Sequence, residues 1–282
     1  MKKFATLLFL AITLVAAVNA PCADYDVAPL CFQRDGMKID GELLLPKVAA
    51  PLPVVLCAHG FGGSRFNVRD YAQVLAENGV AAYIFDFIGG GRNSRSDGKT
   101  TEMSVLTEAD DLVAILNGIK NDERFDKDLV FLFGESQGGF VASYVACKNP
   151  NDVAALVALY PAYVVHDDAK KRTPDPTAIP ETTTLMGMTL GAVYTRDALS
   201  FDIYDLMKDY KNKTLLIHGD QDWLVPYSYS ERAAKTFPNA KLVKIEGENH
   251  GFRGREKEFA ARTTLDFIQE VVRSKTTGSE QK

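Results

Sequence analysis

The sequence predicts an α/β fold: a mostly parallel, doubly wound sheet carrying a small cap insertion. Three observations lead there. Short apolar, β-branched runs alternate with longer stretches of helical apolar spacing, the rhythm that parallel strands and their crossover helices impose. One central run leads straight into Gly134-Glu135-Ser136-Gln137-Gly138 and from there into a helical pattern. A stretch of about forty residues, 162–204, then interrupts the alternation and is longer than a plain connection needs.

Taken in order, residues 37–45 read as a first strand, and 54–58 as a buried one behind Pro51 and Pro53. Residues 68–78 have helical spacing and stop at Gly79, and 80–87 form the next strand. Ser104 and Thr107-Glu108 supply N-terminal signals for a helix over 104–119. An apolar strand over 129–133, a helix over 137–147 and a strand over 153–159 follow. Late in the chain 214–218 and 241–245 read as strands, and 229–236 and 256–272 as helices. Right-handed crossovers then wind the strands into one parallel sheet. Within 162–204 no strand is expected. Pro174, Pro176, Pro180 and three threonines precede Leu185, Met186, Met188, Leu190, Val193 and Tyr194, which are too apolar for a solvated loop. A lid over a site is expected there.

Composition limits the function. The 282 residues are 46% hydrophobic, 24% charged and 10% aromatic, which fits a globular chain and excludes disordered, fibrous and coiled-coil classes. The 32 Lys and Arg residues form no cluster and the net charge is -5, so the basic face of a nucleic-acid binder is missing. Residues 21–282 are expected to form a single domain. Ahead of them, Lys2 and Lys3 precede an apolar run over 4–18, and Val18-Asn19-Ala20 offers small residues for cleavage. This pattern predicts a signal peptide over 1–20 and an exported protein, secreted or periplasmic. The run falls short of the ~20 residues that cross a bilayer, so no span is expected in the mature chain. Cys57 and Cys147 sit in apolar elements and read as buried thiols. Cys22 and Cys31 are close enough in the chain to form a disulfide in an oxidising compartment. No Cys/His spacing suggests a metal, and no organic cofactor is called for.

The chemistry centres on Ser136. A Gly-x-Ser-x-Gly turn between strand and helix holds its serine in a strained conformation above the sheet, and Gly134 and Gly138 remove side chains that would clash. Chance yields about 0.1 such pattern in a chain of this length, so the strand–turn–helix context carries the weight. A serine needs a base to take its proton and an acid to orient that base. His250, in Glu248-Asn249-His250-Gly251-Phe252, follows the last strand and is the expected base. His218 ends a strand and reads as a packed structural histidine. The acid belongs to the loop after that strand, where Asp222 is preferred and Asp220 is expected to hydrogen-bond within the turn. The oxyanion needs backbone N–H donors, expected from Gln137 and from Phe61 in His59-Gly60-Phe61-Gly62-Gly63. His59 is read as a structural partner of that loop.

These motifs together resemble the α/β-hydrolase superfamily, and over most of 36–272 they are similar to its feruloyl (cinnamoyl) esterase branch. The matching stretches are HGFGG at 59–63, DFIGGGRNSRSDG at 86–98, GESQGG at 134–139, LYPA at 159–162, MTLGAVYTR at 188–196, HGDQDWLVP at 218–226 and GENHGF at 247–252. The SDG at 96–98 and the LG-x-x-Y element point to this branch, although Glu135 stands where its members often carry His. The resemblance implies an α/β-hydrolase fold whose insertion caps the site. It also implies that Asp168 (or Asp167) and Tyr194 touch the phenolic end of the substrate. The function expected is a secreted serine carboxylester hydrolase acting through an acyl-enzyme on hydroxycinnamate or other small aryl or alkyl esters, including plant cell-wall phenolic esters. Two alternatives stand beside it: a serine peptidase of prolyl-oligopeptidase type, and a non-catalytic binding protein on the same scaffold.

Overall fold

The computed structural model describes residues 23–279, so the expected signal peptide and Cys22 lie outside the described residues. The strands are β1 (Tyr25–Pro29), β2 (Phe32–Arg34), β3 (Met37–Ile39), β4 (Gly41–Pro46), β5 (Leu52–Ala58) and β6 (Ala81–Phe85), followed by β7 (Phe125–Glu135), β8 (Ala155–Leu159), β9 (Thr182–Leu185), β10 (Met188–Gly191), β11 (Lys213–Gly219) and β12 (Ala240–Ile245). The helices of eight residues or more are α1 (Arg69–Ala76), α2 (Val105–Lys120), α3 (Gln137–Lys148), α4 (Val165–Arg172) and α5 (Ala192–Leu199), then α7 (Ser228–Thr236) and α8 (Gly254–Ser279), with the short α6 (Ile203–Met207) before α7.

Eight strands form one sheet in the order β1-β4-β6-β5-β7-β8-β11-β12. The β1–β4 and β4–β6 pairings are antiparallel and all the others parallel. Alternate side chains of each central strand enter opposite cores. Val54, Leu56 and Ala58 of β5 pack with Ile115 of α2 and Phe140 of α3, whereas Val55 and Cys57 pack with Leu75 of α1 and Ile268 of α8. Each large apolar side chain so buried contributes roughly 1.5–3 kcal/mol. Burial pushes the Cys57 thiol up and holds that of Cys147 up at about 12, so both stay protonated. From β5 the chain steps to β6 on one side, and β7 joins β5 on the other. The C-terminal ends of β5 and β7 therefore meet at the reversal of strand order, where open α/β sheets leave a crevice.

The expected strand over 37–45 is broken at Asp40. Its N–H donates to Ser96 Oγ at 2.8 Å, a side-chain acceptor, instead of to a neighbouring strand, while its carboxylate pairs with Arg65 at 2.9 Å. The stretch 162–204, expected to lack strands, contains the β9–β10 hairpin between α4 and α5. Met188 and Leu190 of β10 pack on Met103 and Tyr194, and that burial holds the hairpin down. Ser104 caps α2, accepting from the N–H groups of Leu106 and Thr107.

Candidate active site

β7 runs out at Glu135, and Ser136 follows with φ 51 and ψ -120, a backbone that side-chain-bearing residues rarely adopt. The flanking glycines permit it. A Cβ on Gly134 would stand 2.2 Å from Gly138 O, and one on Gly138 would stand 2.4 Å from the carbonyls of Ala58 and His59. The turn is held by the Ser136 N–H, which donates to Leu159 O, and by the Ser136 carbonyl, which accepts from the Ala162 N–H, both at 2.9 Å.

Ser136 Oγ lies 3.0 Å from His250 Nε2, and His250 Nδ1 lies 2.7 Å from Asp222 Oδ2. An ionised carboxylate only accepts, so Nδ1 carries the proton and Nε2 presents its lone pair to the serine hydroxyl. Burial opposes ionisation of Asp222. Hydrogen bonds from His218, His250 and the Val225 N–H outweigh it and hold the carboxyl well below the ordinary carboxylate range. The structure therefore brings the three sequence-selected side chains into one hydrogen-bonded line.

His218 is fully buried behind that line. Its Nε2 faces two acceptors, Asp222 Oδ2 and Val225 O, each at 3.0 Å, and so carries a proton, while Nδ1 accepts from Ser230 Oγ at 2.7 Å. Asp220, expected to hydrogen-bond within its own turn, instead accepts from the Gly247 N–H at 2.7 Å. Parallel pairing of β11 with β12 places their two exit loops side by side, which makes the longer-range partner the nearer one.

The loop after β5 approaches from the other side. A Cβ on Gly60 would stand 3.1 Å from Ser136 Cβ, a tight contact that glycine avoids. Among the described residues neither the Phe61 N–H nor the Gln137 N–H has a protein partner, which leaves both donors open beside Ser136. His59 is buried. Its Nδ1 meets Gly60 O at 2.8 Å, its Nε2 accepts from the Phe87 N–H at 3.3 Å, and burial lowers its pKa. It ties the loop to the end of β6. Arg65, which the sequence reading did not single out, is buried and pairs with Asp86 at 2.8 Å and Asp40 at 2.9 Å, locking the far side of the same loop.

Two chambers meet at Ser136. A groove of about 550 Å³ runs past Phe66, Asn67, Glu135, Arg253 and Lys257. A smaller, apolar cavity of about 110 Å³ lies under the cap, lined by Val164, Val165, Leu185, Tyr194 and Val225, with Asp168 and Arg172 in its wall. Met186, at the hairpin tip, borders both. Of the two candidate aspartates, Asp168 reaches this cavity, whereas Asp167 accepts from Tyr229 OH at 2.8 Å. Tyr194 lines the cavity too, but its hydroxyl proton goes to Gln137 Oε1 at 2.7 Å, so the expected bond to a substrate phenol meets a competing partner. Glu135 accepts from Tyr160 OH at 2.8 Å, and burial raises its pKa. Tyr160 in turn packs edge-on against the His250 ring at 4.8 Å. Sequence reasoning gave Glu108 only a place at a helix start, Tyr160 only a place in LYPA and Met186 only a place in the apolar stretch of the lid; the one local signal of a site role was an acidic residue on the buried face of the helix over 104–119.

The model of the family described as serine aminopeptidase, S33, matches residues 49–200, and that of the α/β hydrolase fold matches 187–252. Among solved structures, Est1E from Butyrivibrio proteoclasticus with ferulic acid bound is 27% identical with a TM-score of 0.79, covering 86% of this chain and 99% of that one. The quorum-quenching protein AidA of Acinetobacter baumannii is 26% identical over 145 residues, 51% of this chain and 45% of AidA. A monoglyceride lipase homolog of Monkeypox virus is 26% identical over 125 residues, 44% of this chain and 43% of the viral protein. The chain spans less than half the length of these two curated relatives. No helix among the described residues is long and apolar enough to cross a membrane.

Proposed function

The chain belongs to the family described as serine aminopeptidase, S33, within the α/β hydrolases, and we propose that it is a serine carboxylester hydrolase working through an acyl-enzyme. The observation that carries this reading is the line from Asp222 through His250 to Ser136, ending on a strained elbow. His250 Nε2 takes the Ser136 proton as Oγ attacks the ester carbonyl. The carbonyl oxygen becomes an oxyanion held by the N–H groups of Phe61 and Gln137. When the C–O bond breaks, His250 returns the proton to the departing alcohol. A water molecule, deprotonated by His250, then attacks the acyl-serine, and the acid leaves as Ser136 regains its proton. Asp222 stays ionised throughout, as its depressed pKa requires, and stabilises the imidazolium that forms twice per cycle.

The apolar cavity under the cap supports an aryl acyl group, and the likeness to Est1E with ferulic acid bound supports a hydroxycinnamate or another small aryl acid. The larger groove, which carries Asn67, Glu135, Arg253 and Lys257 among its lining, then takes the alcohol. The basic and apolar pattern over 2–18 supports export.

The family description also favours a peptidase, so the test sets substrates side by side: methyl ferulate, p-nitrophenyl acetate and an aminoacyl-arylamide, with wild type and Ser136→Ala. The ester reading expects both esters to be hydrolysed and kcat to fall by roughly 10⁴–10⁶ in the variant. Faster turnover of the arylamide overturns it in favour of a peptidase. Binding of ferulate without turnover of any substrate favours the non-catalytic scaffold.

A further inference from the structure

Behind the nucleophile, two buried side chains from two helices converge on the side-chain amide of a third. Gln137 opens α3 directly after Ser136. Its Oε1 accepts from Tyr194 OH of α5 at 2.7 Å, and its Nε2 donates to Glu108 Oε2 of α2 at 2.8 Å. Glu108 is 1% exposed, Gln137 and Tyr194 2%. A buried carboxyl is costly to keep unless its hydrogen bonds matter, and the reaction described above makes no use of Glu108. Burial raises its pKa, opposed by the hydrogen bond that its Oε2 accepts from the Gln137 amide.

Tyr194 also touches the opposite side of the site. Its ring packs edge-on against that of Phe61, with centroids 5.8 Å apart. One tyrosine of the cap thus contacts both residues whose N–H groups face the reacting carbonyl, through a hydrogen bond to one side chain and ring packing on the other. Hydrogen bonds weaken steeply as they leave line, so small rotations of either peptide matter there. We propose that Glu108, acting through the Gln137 amide, is a positioning residue that fixes the Gln137 N–H on the oxyanion and makes that geometry depend on the seating of Tyr194. The proposal rests on Ser136 being the nucleophile. It assigns Tyr194 a task in every turnover, whatever the acyl group.

The test uses p-nitrophenyl acetate, whose acyl group is too small to need the cap cavity, and a trifluoromethyl ketone, which forms an oxyanion on the serine. Glu108→Leu and Tyr194→Phe should each lower kcat on the acetate by about tenfold with KM within about twofold, and weaken the ketone by a similar factor. The double variant should be no worse than either single one, because both break the same chain. Glu108→Gln keeps an acceptor for the Gln137 amide and should restore kcat to within about twofold of wild type. Wild-type kcat on acetate in both variants overturns the proposal, as does a loss confined to hydroxycinnamate esters, which would make Tyr194 a substrate contact instead. Should Glu108→Leu fail to fold, Tyr194→Phe, which removes one oxygen, decides alone. Full activity in Ser136→Ala overturns the serine reading itself. An inactive Ser136→Ala beside unimpaired relay variants overturns only the relay.

Discussion

His218 Nε2 and Asp222 Oδ2 lie 3.0 Å apart with both side chains fully buried. The same oxygen accepts from His250 on its other side, while Asp222 Oδ1 accepts the N–H groups of Leu224 and Val225 at 2.9 and 2.8 Å. The carboxylate is thereby saturated and immobile, and only one of its two histidines faces the serine.

Asp222→Asn should therefore lower kcat on the order of 10⁴, by removing the acceptor that fixes the His250 tautomer. Asp220→Asn should cost less than about tenfold, since it removes one loop hydrogen bond. His218→Leu should lose about 1–3 kcal/mol of stability, because Val225 O and Ser230 Oγ are left unpaired in the interior. Steady-state kinetics and denaturant midpoints on the three variants check this. A larger kinetic loss for Asp220→Asn than for Asp222→Asn would mean the carboxylates are misassigned.

Ser136 sits on strained backbone. Replacement by glycine should leave the protein about 1 kcal/mol more stable than Ser136→Ala, since glycine adopts φ 51 without a Cβ clash. Both variants should lack activity, which makes unfolding the only readout that separates them. Equal midpoints would mean that the neighbouring glycines have already relieved the strain.

The β9–β10 hairpin turns through Met186 and Gly187, with φ of 49 and 76. Two positive φ values mark the turn type that favours Asn-Gly, yet a methionine stands first, 67% exposed, on the border of both chambers. Met186→Asn should stabilise the protein by about 1 kcal/mol and raise KM for methyl ferulate several-fold, with little change for acetate. An unchanged KM for the larger ester would show that the side chain does not contact substrate.

Glu108 should also leave a mark on stability against pH. Its carboxyl holds a proton more tightly in the folded chain than in the unfolded one. The folded state therefore loses stability as pH rises from the ordinary glutamate range near 4.5 toward the raised value. Glu108→Gln removes that slope. Thermal midpoints of variant and wild type should agree below pH 4.5 and diverge in favour of the variant above it. Parallel curves across the whole range would show that Glu108 does not titrate with folding.

The elbow was legible because its requirement is local. A strand entering a helix through one strained residue needs glycines at two near positions, and Gly134 and Gly138 announce that need in five consecutive residues. The buried central strands were legible for a similar reason, since parallel strands covered on both faces are continuous apolar runs. Where faces are exposed the signal failed. β1 is largely exposed and carries no apolar run, and β7 begins at Phe125 through Asp126, Lys127 and Asp128, four residues before its apolar segment. The β9–β10 hairpin was hidden because its threonines read as a polar connection and its turn opens on a methionine where asparagine is usual.

By itself the sequence determined the buried central strands, the elbow and the chain order of Ser136, Asp222 and His250, because steric demands and order along the chain are properties of neighbouring residues. Only the tertiary structure decided what those residues meet. The line from Ser136 to His250 closes across 114 residues and that from His250 to Asp222 across 28. The partner of Tyr194 lies 57 residues away, and no periodicity in the sequence records it. Those contacts arise when the sheet twists its strand ends together and the cap buries Met188, Leu190 and Tyr194 against them. Their specificity comes from buried polar groups, which must find partners once water is excluded, and a one-dimensional pattern of apolar and polar residues does not say which partners they find.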